Sequence, residues 1–175
     1  SADRPITSIL YTPGREMRLA QELVLGIGGA RALEALGIEP AVWHMNEGHS
    51  AFLQFERLGR RMRGHAESFD GAVAELRRTS VFTTHTPVAA GNEVFDSALI
   101  RDYFDPLCAG LGIEPEQWLA LGNNDHGESN QPLNMTALAI RTSSRINGVS
   151  ELNARVSAKM WHHVIPANRP EDEQI

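Results

Sequence analysis

Short β-branched and aromatic runs in this chain give way, again and again, to a polar turn and then to apolar residues at helical spacing. Ile6 to Tyr11 (ITSILY) reads as a strand stopped by Thr12-Pro13-Gly14. From Arg15 to Leu36, apolar residues such as Leu19, Leu23, Ile27, Ala30 and Leu33 recur every three or four positions. That spacing predicts a helix, with Gly37 as its C-cap. Pro40 to Asn46 (PAVWHMN) is a second strand and His49 to Arg63 a second helix. Ser68 to Arg78 follows as a helix capped by Ser68, then Ser80 to Thr84 (SVFTT) as a strand. Further helices are expected around Ser97 to Ala109, Pro115 to Leu121, Leu133 to Ser144 and Glu151 to Trp161, with a short strand at Ile146 to Ser150. Strands alternating with helices predict an α/β fold whose largely parallel sheet is flanked by helices. In such sheets ligands bind where strand C-termini open into loops.

Composition narrows the partners. Hydrophobic residues make up 42% and charged residues 22% of 175, enough for one domain with a sizeable core. With 16 Lys+Arg against 22 Asp+Glu, the chain has no positive excess to neutralise a phosphate backbone, so nucleic acid is not an expected partner. The one basic run, Arg57 to Arg63, reads as the solvated face of a helix. No apolar run of about 18 residues could cross a membrane, and no signal peptide is visible. The single cysteine, Cys108, lies in an apolar stretch and is expected as a buried thiol, which fits a reducing, cytoplasmic setting. Gly26, Gly28 and Gly29 interrupt the first helix at about 1 kcal/mol each relative to Ala, which predicts close packing there. They do not form G-x-G-x-x-G and do not follow a strand, so no dinucleotide site is expected.

Three polar clusters could carry chemistry. In Trp43 to Phe52 (WHMNEGHSAF), Asn46, Glu47 and His49 fall at a strand-to-helix turn, where a carboxylate and an imidazole suit sugar hydroxyls. Equally, Asn46 could cap the following helix and His49 be structural. A metal site of His44, Glu47 and His49 is a third reading, but a helical HExxH motif needs histidines four apart, and these are five apart. In Thr83 to Phe95 (TTHTPVAAGNEVF), His85 and Thr86 follow a strand end, alongside the plainer reading of a turn in which Thr84 and Thr86 bond their own backbone. In Asn134 to Trp161, Arg141 and Arg145 are four apart on one predicted helix, to hold an anion or simply be solvated.

WHMNEGHSAF and TTHTPVAAGNEVF, in that order, together with REMRLAQELVLGIGG upstream and NMTALAIRTSSRINGVSELNARVSAKMW downstream, resemble the bacterial and archaeal α-glucan phosphorylases. The resemblance implies a full-length enzyme that cleaves terminal α-1,4-glucosyl units with phosphate to give glucose 1-phosphate. It implies two Rossmann-like domains in the GT-B arrangement, with pyridoxal phosphate on a lysine of the second. Residues 1–165 would then be part of the N-terminal domain, cut at both ends, and 166–175 a polar tail. By this resemblance His85 is the residue at the glucosyl subsite, its carbonyl and imidazole facing the sugar, with Thr86 beside it. Asn46, Glu47 and His49 lie near the glucan path, and Tyr11 to Gly14 falls where the family has a gate loop. Asn153 departs from the pattern, since the family usually has histidine there.

The implied partners are α-1,4-glucan, phosphate and the missing C-terminal domain, with a homo-oligomer left open. The sole lysine, Lys159, is outside any cofactor-lysine motif, so pyridoxal phosphate would not be held by this chain. Without the facing half of the cleft the chain is expected to be inactive alone. The competing reading is a stand-alone carbohydrate-binding α/β module.

Overall fold

In the computed structural model, which describes residues 3–10, 13–65, 68–88, 91–123 and 131–165, the first helical pattern is one rod in three parts. These are α1 (Arg15–Leu23), a π-helical turn (Val24–Gly28) and α2 (Gly29–Ala35). The rod ends in a Schellman motif: Gly37, at φ 67°, donates to the Glu34 carbonyl and Ile38 to the Leu33 carbonyl, closing two carbonyls the helix leaves open.

β1 (Trp43–Asn46) leads through a 3-10 turn (Gly48–Ser50) into α3 (Leu53–His65). α4 (Phe69–Arg78) is capped by the Ser68 hydroxyl, which accepts the Gly71 N–H, and feeds β2 (Ser80–Thr84). A two-residue β3 (Val94–Phe95) precedes α5 (Ser97–Leu111) and α6 (Pro115–Gly122). A two-residue β4 (Leu133–Asn134), antiparallel to β3, opens into α7 (Met135–Arg141). β5 (Arg145–Gly148) and α8 (Glu151–Trp161) complete the order.

β1, β2 and β5 form a parallel sheet in that order, with Met45 opposite Phe82 and Phe82 opposite Ile146. Those three side chains are buried on one face, as the period of two requires. Behind them, Phe52, just before α3, and Phe55 of α3 meet Phe104 of α5 and Trp118 of α6 with ring centroids 4.8 to 4.9 Å apart for the Phe52–Phe104, Phe55–Phe104 and Phe55–Trp118 pairs. The other face is polar: His44, Asn46, Arg145 and Asn147 are exposed on it, around a buried Thr83. No described helix is long and apolar enough to cross a membrane. Cys108 is fully buried, and burial pushes its thiol up to about 11.

Four expectations change. Residues 6–10 are not a strand: Arg4–Thr7 is a 3-10 turn with Pro5 at its start, and Gln21 Nε2 donates to the Ile6 and Ile9 carbonyls in place of a neighbouring strand. The basic run is not all solvated. Arg57 is 8% exposed, lies over the Trp43 ring, and donates to Gln54 Oε1, Ser80 Oγ and Thr79 Oγ1. Arg141 and Arg145 do not share a helix face, because α7 stops at Arg141 and Arg145 opens β5. Arg141 instead closes the C-terminal end of α6, donating to the carbonyls of Leu121 and Asn123. Of the three helix glycines, only Gly26 is in close contact. Gly29 faces open space, and at Gly28 an added Cβ would meet only its own rod at 4.0 Å. The polar tail 166–175 and most of the loop 122–132 lie outside the described residues, as do Tyr11 and Thr12 of the implied gate turn.

At Gly26 a Cβ would sit 2.7 Å from the Leu53 nitrogen and 2.9 Å from Phe52 Cβ, backbone and core that cannot yield cheaply. Gly26→Ala therefore loses about 1–3 kcal/mol by overpacking despite alanine's better helix propensity. Urea denaturation measures this. A stabilised variant would contradict the close approach of the π turn to the start of α3.

Candidate functional site

The C-terminal ends of β1, β2 and β5 bring the turns after Asn46, Thr84 and Gly148 to one edge of the sheet. Glu47 has φ 66° and ψ 174°, a region that glycine alone enters readily, at a cost of about 1–3 kcal/mol. It is the single non-glycine residue with positive φ among those described. Its Oε1 accepts the backbone N–H of both His85 and Thr86, the second at 2.6 Å. Hydrogen bonds to a charged acceptor contribute about 1.5–3 kcal/mol each, so the pair outweighs the strain. The Glu47 N–H in turn donates to the Thr83 carbonyl at 2.9 Å. The turn after β1 is thus bound to the turn after β2 through one side chain.

His85 is exposed but held. Its Nε2 meets Asn46 Oδ1. An amide oxygen there accepts a proton on Nε2, and Nδ1 is then the acceptor of the neutral ring. The His85 carbonyl accepts Asn153 Nδ2 at 3.0 Å. Asn153 is in the first turn of α8, whose cap, the Ser150 hydroxyl, accepts the Asn153 backbone N–H. Gly148 makes this approach feasible: a Cβ there would lie 2.4 Å from the Ala154 nitrogen and 2.7 Å from Asn153 Oδ1. On the polar face a second chain of bonds crosses all three strands. His44 Nε2 lies 2.7 Å from Thr83 Oγ1, which donates to Asn147 Oδ1 at 2.9 Å.

Asn46, Glu47, His85 and Thr86 therefore converge. Asn46 does not cap a helix, and the Thr86 N–H binds Glu47. His49 goes elsewhere, toward α1, with Nδ1 2.8 Å from Arg18 Nη2 and 3.3 Å from Glu22 Oε1. With His44 on Thr83 and Glu47 on the His85 turn, the three residues of the metal reading point to different partners. Among the described residues no group of three or more His, Cys, Asp or Glu could hold a metal ion.

Asn147 and Asn153 join the site, and Arg18 and Glu22 gather round His49 beside it, without having been picked out as site residues. Arg18 and Glu22 carried the one signal available, an i,i+4 charge pair, now 3.0 Å apart. With His49, Leu10 and Leu25 they line a cavity of about 260 Å³. A larger one, about 470 Å³, opens beside Trp43, Arg57 and Arg60 at the opposite end of β1 from the polar edge.

Glu22 is 1% exposed, and its Oε2 has no hydrogen-bond partner among the described residues. Burial raises its carboxyl above the ordinary 4.5, against lowering by His49 and Arg18. A carboxyl raised on folding contributes stability that is present below its unfolded value and lost as pH rises through the folded one. Glu22→Gln removes that loss, so unfolding free energies measured from about pH 4 to 6 should move in the variant's favour relative to the parent as pH rises. Movement in the parent's favour would contradict a burial-dominated carboxyl.

No family model matches the chain. It is 43% identical over 162 residues, 93% of its length, to maltodextrin phosphorylase of Thermococcus litoralis. It is 36% identical to glycogen phosphorylase of Mycobacterium tuberculosis over an alignment of 183 positions covering 98% of the chain. To glycogen phosphorylase of Aquifex aeolicus it is 33% identical over 159 residues, 91% of the chain. The chain spans about one fifth of these relatives, 18%, 21% and 23% respectively. An ordered match over nearly all of the chain, to several proteins of one kind, assigns it to the α-glucan phosphorylase family, as the counterpart of about one fifth of such a protein.

Proposed function

We propose that the Glu47–His85 edge is the glucosyl side of a sugar cleft in an α-glucan phosphorylase. Residues 1–165 are then a portion of the N-terminal GT-B domain. The complete polypeptide cleaves terminal α-1,4-glucosyl units with phosphate, releasing glucose 1-phosphate. The observation that carries this reading is the Glu47 carboxylate on the His85 and Thr86 amides. It takes both N–H groups of the turn, as Asn153 takes the His85 carbonyl and Asn46 the His85 Nε2, so the groups offered to a ligand are His85 Nδ1 and the Thr86 hydroxyl. An imidazole Nδ1 acceptor beside a hydroxyl, which both donates and accepts, matches the vicinal hydroxyls of a glucosyl unit. Asn46 sets the ring and Glu47 the loop, while His49 lies further along the glucan path.

The pyridoxal phosphate implied by the family does not fit this chain. Lys159 is exposed on α8. It stands six residues beyond Asn153, about 9 Å along the helix axis, and so away from the polar edge. A Schiff-base lysine and the phosphate-binding groups belong to the rest of the polypeptide. This chain's part is to orient the sugar and exclude alternative poses, a contribution that is lost when the reacting groups are not held opposite it.

The purified 175-residue chain, given maltodextrin, phosphate and pyridoxal phosphate, should release no glucose 1-phosphate. In the complete polypeptide His85→Ala should lower kcat about 100-fold, with a smaller effect on KM. Glucose 1-phosphate from the chain alone would overturn its dependence on the missing half. Unchanged kinetics in the variant would overturn the role of His85.

A further inference from the structure

We propose that Asn153 is the positioning residue of His85, holding its carbonyl with a donor that does not titrate, at the place where the resemblance puts a histidine. The functional weight of this inference rests on His85 facing the sugar. Its geometry does not.

Both peptide planes that flank His85 are tied at both ends. The Thr84 carbonyl accepts the Val149 N–H at 3.0 Å, and the His85 N–H goes to Glu47. The His85 carbonyl accepts Asn153, and the Thr86 N–H in the same plane goes to Glu47. Since each plane is rigid, four bonds fix φ and ψ of His85 and so the direction of its side chain. Asn153 supplies the one bond of the four that comes from a side chain of α8.

The donor's orientation is set by its surroundings. Asn153 is 7% exposed, and its Oδ1 lies 3.4 Å from the Ser157 hydroxyl. Reversing the amide would set its oxygen against the His85 carbonyl oxygen, two acceptors in contact. Gly148 and the Ser150 cap bring the first turn of α8 close enough for a short asparagine side chain to reach. A primary amide keeps its N–H over the pH range in which an imidazole changes charge, so the hold on the carbonyl is constant there.

The test uses the isotopically labelled 175-residue chain, its Asn153→Asp and Asn153→His variants, and maltoheptaose. Asn153→Asp keeps the size, removes the donor, and suits the first turn of a helix, where a negative charge is favourable. The His85 carbonyl ¹³C resonance should move upfield in that variant and return toward the parent position in Asn153→His. If Asn153→Asp does not fold, Asn153→Gln, one methylene longer, displaces the donor and should move the same resonance. A resonance unmoved in whichever of these variants folds overturns the proposal. Maltoheptaose should bind Asn153→Asp about tenfold more weakly than the parent. Equal binding alongside a moved carbonyl also overturns the positioning role. A parent that shows no maltoheptaose response refutes the sugar-side reading instead, while the carbonyl resonance still decides for or against Asn153.

Discussion

One carboxylate joins the two halves of the polar edge. Glu47 bends the chain through a backbone conformation unfavourable to any side-chain-bearing residue, and its oxygen then takes the amides of His85 and Thr86. Without those bonds the strain would have no compensation, and the turn after β2 would be held to the end of β1 only by the contact of the His85 ring with Asn46. The sheet supplies the register, Asn46 opposite Thr83, that brings the two turns level. The carboxylate converts that register into a fixed loop.

Support for this edge comes from both directions. On one side Gly48 lies against α7, where an added Cβ would lie 3.0 Å from Met135 Cβ. From the side, α8 reaches in over Gly148 and delivers Asn153 to the His85 carbonyl. The Arg18–Glu22–His49 group stands behind, linking α1 to the same turn. Rigidity of this kind fits the sugar side proposed for this edge, since hydroxyls are recognised by the direction of each donor and acceptor.

Much of this was legible in the sequence, for reasons that differ by element. The long rod and its Gly37 stop were readable because helical periodicity and an αL glycine are local signals. β2 was readable because SVFTT is β-branched and bounded. Residues 6–10 were misread because β-branched composition cannot reveal that Gln21 takes their carbonyls. β3 and β4, two residues each, are too short for any period to register. Arg57 was misread because a charge run does not say which arginine faces Trp43 and the strand ends. At the site, residue types and strand ends marked Asn46, Glu47, His85 and Thr86. That His49 turns to α1, and that Asn153 reaches His85 across 68 positions, are contacts that only the folded chain creates.

The binding of the His85 and Thr86 amides by Glu47 is the centre of the account, and amide hydrogen exchange tests it directly. Both amides should exchange far more slowly than unprotected loop amides in the parent, and both should speed up together in Glu47→Ala, which removes the acceptor oxygen. Exchange at the rate of an unprotected loop in the parent, or protection that survives the substitution unchanged, would contradict it.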